Sequence, residues 1–519
     1  MARTPLAGIL QKSFAVASAA VEKEKSTGQA NLKECTTSQN ANDIPEKEKK
    51  QLITSSGGFH KAPRVVIVGA GLAGLTSAFR LKQEGVISTI YEAANRVGGR
   101  CWTRREHFKD GQIVERGGEL IDTGHKEIQE LGKELGLEFD NVVMAEPKGT
   151  MPFYFFDGCS YTFEEVTNDF MHILPKLKKD LIEVGETTLY NHYTERGYEL
   201  DHLSVLDYIN EIVPGGIQSK FGKLLEVAYT VENGADASLQ SALNLLYMLG
   251  FAQKDHFHIY GDSDECFHIR GGNDQLPTLL ADNLTGQIEL NSPLIKIEQT
   301  SQNEIRLTFR NRIKEWEVLA DKVILAIPFK ILRTIDFENA SFRDLKKIAI
   351  EELGMGVNTK LHAQFAHRFW NDLGNNGETF TDTGYQQTFE SSRTQQGTSG
   401  ILVNYTGGET AAKLSALTVT EKKEIAKSFL DKLDPVLPGS TSNWNGLATV
   451  DHWLSNQWSK GAYSYWKVGQ YTKFAGIVGE REGNIFFAGE HTSIKYPGYL
   501  NGAVESGERA AKEIMNDLL

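Results

Sequence analysis

Four apolar residues in a row, Val65-Val66-Ile67-Val68, run into Gly69, and from Leu72 apolar positions recur at helical spacing. An unbroken apolar run predicts a strand buried on both faces, as in a parallel sheet, and the stretch after it predicts a helix of about a dozen residues. Ser88 to Tyr91 reads as a second strand. Lys126 to Leu135 places apolar residues three and four apart, the pattern of an amphipathic helix. Leu294–Ile297 and Lys322–Pro328 read as further strands of the first layer, and Thr359–Ala366 as part of a second, antiparallel-looking region.

The link between the first strand and helix is Gly69-Ala70-Gly71-Leu72-Ala73-Gly74, with Glu92 closing the next strand. Gly69 permits the turn, Gly71 lets backbone approach a pyrophosphate, and Gly74 lets the helix lie close to the strand. The helix N-terminus offers unpaired N–H groups and a positive dipole end to phosphates. Glu92, about 20 residues on, suits a ribose hydroxyl. In this context the pattern predicts a Rossmann-type dinucleotide site.

A second set of glycines follows. Ala93-Ala94-Asn95-Arg96-Val97-Gly98-Gly99-Arg100 and Glu115-Arg116-Gly117-Gly118-Glu119-Leu120 give two more turns of the kind needed where a large ring threads between backbone segments. Arg100 can neutralise a diphosphate. These motifs resemble the flavin amine oxidases: monoamine, polyamine and L-amino acid oxidases. The resemblance spans about Pro63 to Ile514 and includes Arg270-Gly271-Gly272, Ala326-Ile327-Pro328, Gly489-Glu490-His491-Thr492 and Tyr496-Pro497-Gly498-Tyr499-Leu500-Asn501-Gly502-Ala503.

The resemblance implies an α/β fold. Residues 61–125, 262–328 and 451–519 would form the FAD-binding domain, interleaved with a helical domain (126–261) and a mixed-sheet substrate domain (329–450). It implies FAD contacts from Gly69, Gly71, Leu72, Ala73, Gly74, Glu92, Ala93, Gly99, Arg100, Gly117, Gly118, Glu119, Leu120, Leu294, Gly489, Glu490, Gly498, Tyr499, Leu500 and Ala503. Ala462 stands where monoamine oxidases carry a cysteine bonded to the flavin, so FAD should be held non-covalently. Lys360 matches the flavin-facing lysine that holds a water and assists oxygen. Tyr463 and Tyr499 match the aromatic pair flanking the substrate amine, with Gly498 beside them.

The substrate is less determined. An amino acid needs a cation for its carboxylate, ideally a bidentate Arg. Leu120 stands where L-amino acid oxidases often place that Arg, which leaves Arg116 as the candidate, with an ion pair as its alternative role. Glu119 could read a cationic group or bond the ribityl chain, and Gln240 on the helical insert is a further candidate for the pocket. The reading is oxidative deamination of L-amino acids to 2-oxo acids, releasing ammonia and hydrogen peroxide, with the amino acid and O2 as small-molecule partners. The alternatives are a polyamine or monoamine oxidase, an amino acid monooxygenase, or a non-catalytic flavoprotein scaffold.

Composition adds boundaries. The chain has 519 residues, 40% of them hydrophobic, and a formal net charge of −13, which argues against nucleic acid as a partner. Cys35, Cys101, Cys159 and Cys266 are scattered without Cys-x-x-Cys spacing, so unpaired thiols are expected and no metal site. No apolar run approaches the ~18 residues of a membrane span. A soluble protein is expected, cytoplasmic or exported. The first ~60 residues, with charge runs such as Glu46-Lys47-Glu48-Lys49-Lys50, read as a disordered tail or degenerate export signal. A homo-oligomer is left open, since no surface stripe argues for or against one.

Overall fold

The computed structural model describes residues 63–185, 187–252, 257–415 and 418–519. The N-terminal tail, Cys35 included, lies outside them.

Val65–Val68 forms the centre of a five-stranded sheet ordered Ile485–Phe487, Lys322–Leu325, Val65–Val68, Ser88–Tyr91, Ile288–Glu289. Every pairing in it is parallel. The four residues of the central strand are all buried, as their unbroken apolar run requires. Helix Leu72–Gln83 follows at once and packs on helix Leu500–Leu518 at the far end of the sequence. Leu294–Gln299 does not join this sheet; it opens a three-stranded antiparallel meander with Ile305–Arg310 and Glu315–Ala320.

The second layer is a seven-stranded sheet, ordered Trp444–His452, Asn358–Phe365, Gly400–Gly407, Gln387–Glu390, Asn375–Thr381, Met151–Phe156, Cys159–Tyr161. It is antiparallel except where Asn375–Thr381 runs parallel to Met151–Phe156. Two of its strands therefore come from the segment expected to be helical. The remainder of that segment is helical, led by Phe163–Val184, which opens with a Thr162–Glu165 capping box, and by Lys220–Asn233 and Ala242–Leu249. Their apolar faces pack into one core with Phe380 of the sheet and Phe487 of the nucleotide layer. Helix Lys126–Glu134 buries Ile128 and Leu131, the stripe read from its spacing.

The glycine turn shows two separate constraints. A Cβ on Gly74 would stand 2.0 Å from the carbonyl oxygen of Gly69, so the helix can meet the strand only without a side chain there. A Cβ on Gly71 would meet nothing within 4 Å. In ligand-free protein, Gly74→Ala should therefore cost about 1–3 kcal/mol, while Gly71→Ala should cost under about 1 kcal/mol. Thermal unfolding of the two apoproteins checks this; equal losses would contradict it.

Candidate active site

Two adjoining cavities lie between the layers. The smaller, about 360 Å³, runs along the glycine turn. The larger, about 780 Å³, has the face of the seven-stranded sheet as one wall and the helical insert as another. Arg100, Gly118, Ala462, Tyr463, Gly498, Tyr499 and Leu500 line both.

The smaller cavity has the features of an extended nucleotide site. Helix Leu72–Gln83 begins at Gly71 with no side-chain cap and no acid in its first turn, so its N–H groups are left for an anion. Helix Leu500–Leu518 begins at Tyr499 in the same way. Glu92 accepts hydrogen bonds from Ala70 N and Ala94 N, both at 2.7 Å, and a carboxylate keeps further lone pairs for ribose hydroxyls. Glu490 ties three segments together: Oε1 accepts from Arg100 Nη1 at 2.8 Å, and Oε2 from Ser464 Oγ and Gly498 N, each at 2.7 Å. Burial opposes its charge, but Arg100 and His491 hold its carboxyl below the ordinary range. These residues fit a flavin dinucleotide, and Leu294, Ala462 and Gly498 line the same cavity.

Lys360 lies on strand Asn358–Phe365 at the wall of the larger cavity. Its Nζ donates to Glu119 Oε2 at 2.5 Å, Gly117 O at 2.8 Å and Glu115 O at 3.3 Å. Tyr405, its cross-strand neighbour, shares a 3.0 Å hydrogen bond with the Tyr463 hydroxyl, which also donates to Glu232 O at 2.6 Å. Tyr499 is held through its hydroxyl at 3.1 Å from Ser263 Oγ and edge-on to His125. Lys360, Glu119 and both tyrosines thus meet in one cavity.

Three expected site residues do not line either cavity. Gly74 lies within its helix, against Gly69, as its packing role requires. Arg116 is spent elsewhere: Nε donates to Asp451 Oδ1 at 2.6 Å, and the guanidinium stacks 3.4 Å over Trp102. Arg104 binds the same carboxylate, and the two arginines, with His362, hold Asp451 below the ordinary range although burial opposes its charge. The carboxylate role expected of Arg116 is thereby overturned. Gln240 is corrected likewise. It is fully buried, its amide donating to Tyr229 O and Ala235 O, because it closes a turn inside the helical insert.

Residues the sequence did not mark complete the larger cavity: Tyr405, Gln387, Glu378, Glu265, Arg393 and His268. Strand register brings the first three there. Lys360 pairs with Tyr405, Tyr405 with Gln387 and Gln387 with Phe380, two residues beyond Glu378 on the same sheet face. Three strand spacings separate Lys360 from that last strand, about 14 Å. Only the alternation of each strand, combined with its register, could have revealed this row.

A family model described as flavin containing amine oxidoreductase matches residues 72–515, and the chain belongs to that family. Among curated proteins it is similar to an L-amino-acid oxidase of Pseudechis australis (26% identical, covering 87% of this chain and 86% of the other). It is also similar to the flavin-containing amine oxidase B of Cavia porcellus (26%, covering 87% and 86%). Among solved structures, cyclohexylamine oxidase from Brevibacterium oxydans IH-35A superposes with a TM-score of 0.75 at 22% identity, covering 88% of this chain and 99% of that one. A putrescine oxidase bound to putrescine gives 0.73 at 23%, with the same coverage. The family's cofactor is FAD, bound non-covalently, and the two cavities, with Ala462 lining both, fit it. Cys101, Cys159 and Cys266 are free thiols. Among the described residues no helix is long and apolar enough to cross a membrane.

Two outcomes follow for variants of the FAD-loaded protein. Lys360→Met removes a buried cation and leaves Glu119 unpaired; steady-state oxygen consumption should fall by about 10²-fold. Arg116→Ala should change KM for the amine substrate less than two-fold while lowering the Tm, since it touches Asp451 and not the cavity.

Proposed function

We propose that this protein oxidises a carbon–nitrogen bond in a long polycationic amine, a triamine such as spermidine, with O2 as acceptor. The observation behind this reading is the charge of the larger cavity. Its lining carries eight Asp or Glu side chains against three Lys or Arg. The carboxylates are not confined to the Lys360 end: Glu146, Glu265 and Glu378 lie towards the far wall with Arg393. The strands that carry Lys360 and Glu378 lie about 14 Å apart, so a substrate whose reacting carbon lies beside Lys360 and Tyr463 needs a long chain to bring a second charge to Glu378. An extended triamine, with the hydrogen bond at its far ammonium, comes close to that span, whereas a diamine as short as putrescine falls well short of it.

The bound flavin supplies the oxidising equivalent and the route of electrons to O2. The protein supplies binding and electrostatics. Tyr463 and Tyr499 present ring faces to the reacting nitrogen. Lys360 is held close by Glu119 and the two carbonyls, which keeps one positive charge where oxygen is reduced.

A second reading, oxidative deamination of a basic L-amino acid to the 2-oxo acid with release of ammonia and hydrogen peroxide, is favoured by the Arg393 guanidinium in the same cavity. Arg393 already donates to Glu146 Oε2 at 3.2 Å and Asn376 O at 2.7 Å, so a carboxylate there would compete with Glu146.

Mixing the FAD-loaded protein anaerobically with spermidine, putrescine, L-arginine and 2-phenylethylamine, and following loss of the flavin band, decides between them. Spermidine should have the highest second-order rate constant; fastest bleaching by L-arginine would establish the second reading, and by 2-phenylethylamine would end both. Burial and Glu265 push the Glu378 carboxyl up to about 7, against Arg393. It is neutral below that pH and anionic above, so spermidine affinity should rise as pH passes through 7. In Glu378→Gln that rise should vanish, with KM up about ten-fold at pH 8, the worth of one charge-assisted hydrogen bond.

A further inference from the structure

One titratable group at the reacting end of the cavity has no part in the chemistry above. His268, on the short strand Phe267–Ile269, lines the larger cavity, and 15% of its side chain is accessible. Its Nε2 stands 3.0 Å from Glu115 Oε1. Glu115 is buried and also accepts from Thr103 Oγ1 at 2.9 Å and Asn273 N at 2.9 Å. A buried carboxylate with that set of donors is an acceptor toward the ring, so Nε2 carries the hydrogen and the neutral ring keeps its lone pair on Nδ1. Nδ1 has no hydrogen-bond partner among the described residues. The backbone oxygen of Glu115 accepts from Lys360 Nζ, so His268 and Lys360 stand on either side of one residue.

We propose that His268, oriented by Glu115, is the base that takes a proton from the substrate ammonium before oxidation. An amine enters this acid-rich cavity as its cation, but only a neutral amine has the nitrogen lone pair that assists loss of hydride from the adjacent carbon. In the step, one ammonium N–H bond breaks, its electron pair stays on nitrogen, and the proton forms a bond to Nδ1. The ring becomes an imidazolium stabilised by Glu115, which itself takes no proton. The charges facing the ring are Glu115 behind it, Glu119 with its partner Lys360 beside it, and Asp140, its cross-strand neighbour. Burial disfavours the imidazolium, but the hydrogen bond to Glu115 and these carboxylates outweigh it and raise the ring's pKa above the ordinary histidine value.

The inference rests on the family's amine oxidation and not on the triamine reading: whichever of spermidine, L-arginine or 2-phenylethylamine bleaches the flavin serves as probe. The rate of anaerobic bleaching against pH is measured on the FAD-loaded wild type, His268→Ala and Glu115→Gln. The wild type should show an acid limb above pH 6.5, the ordinary histidine value. His268→Ala should be slowed about 10²-fold at pH 7, with its limb moved up toward the amine's own pKa, and added imidazole should restore rate. Glu115→Gln should move the limb down, because the imidazolium loses its counter-charge. A wild-type limb in His268→Ala, limbs that move the same way in both variants, or no rescue by imidazole would overturn the proposal. Where either substitution releases FAD, titration of the wild-type holoenzyme's 13C-labelled histidines decides: no cavity histidine titrating above the ordinary value defeats it.

Discussion

A buried ammonium needs acceptors on every side, and that requirement joins the two halves of this molecule. Lys360 is only 5% exposed and stands on a strand of the seven-stranded sheet. Its acceptors, Glu115 O, Gly117 O and Glu119 Oε2, all belong to the stretch that follows the glycine turns of the nucleotide layer. Desolvating such a charge costs several kcal/mol, and the penalty is recovered only where partners are close and well placed. The same three contacts therefore fix the distance between the sheet and the Gly117–Gly118 backbone, and with it the width of the larger cavity at that end. Glycine is needed at Gly117, where a Cβ would fall 1.9 Å from the backbone oxygen of Arg100.

The nucleotide layer was legible because its constraints are local. A turn that tolerates no Cβ, a strand buried on both faces and a helix opened without a cap each leave a mark within a few residues of sequence. Most of the residues read as FAD contacts line the smaller cavity for this reason. The substrate cavity is built differently. Lys360, Tyr405, Gln387 and Glu378 share one sheet face only through three successive strand registers, and a slip of one residue in any of them would send the row to the other side. Nothing within the separate strand sequences encodes that pairing. The two strands contributed by Met151–Phe156 and Cys159–Tyr161 were hidden for the same reason, since they cross to a sheet whose other members lie far later in the chain, from Asn358 on.

Arg116 shows how a correct physical premise can select the wrong residue. A carboxylate substrate does call for a guanidinium, and Arg116 lies one position before the paired glycines. Its side chain does not line the cavity; it meets Asp451, a carboxylate that already draws in Arg104 and His362. A buried Asp with that many neighbours is a structural anchor: removing a partner exposes an uncompensated charge, and lending the partner to a ligand does the same. Sequence proximity to a glycine turn says where the backbone goes, and the competing carboxylate decides where the cation goes.

The charge distribution carries the argument further than net charge does. A formal −13 spread over the surface would be screened within about 10 Å at ordinary salt. Carboxylates inside a cavity with apolar walls are screened far less, so those of the far wall act on whatever enters. Pairing already uses part of this charge: Lys360 answers Glu119, Arg368 answers Glu390 and Arg393 answers Glu146. Glu378 lies next to Glu265 and is held only weakly in check by Arg393, which is why its carboxyl resists ionisation. A group in that condition is stabilised by any cation brought alongside it, and a substrate that carries its own second charge satisfies the cavity where the protein does not.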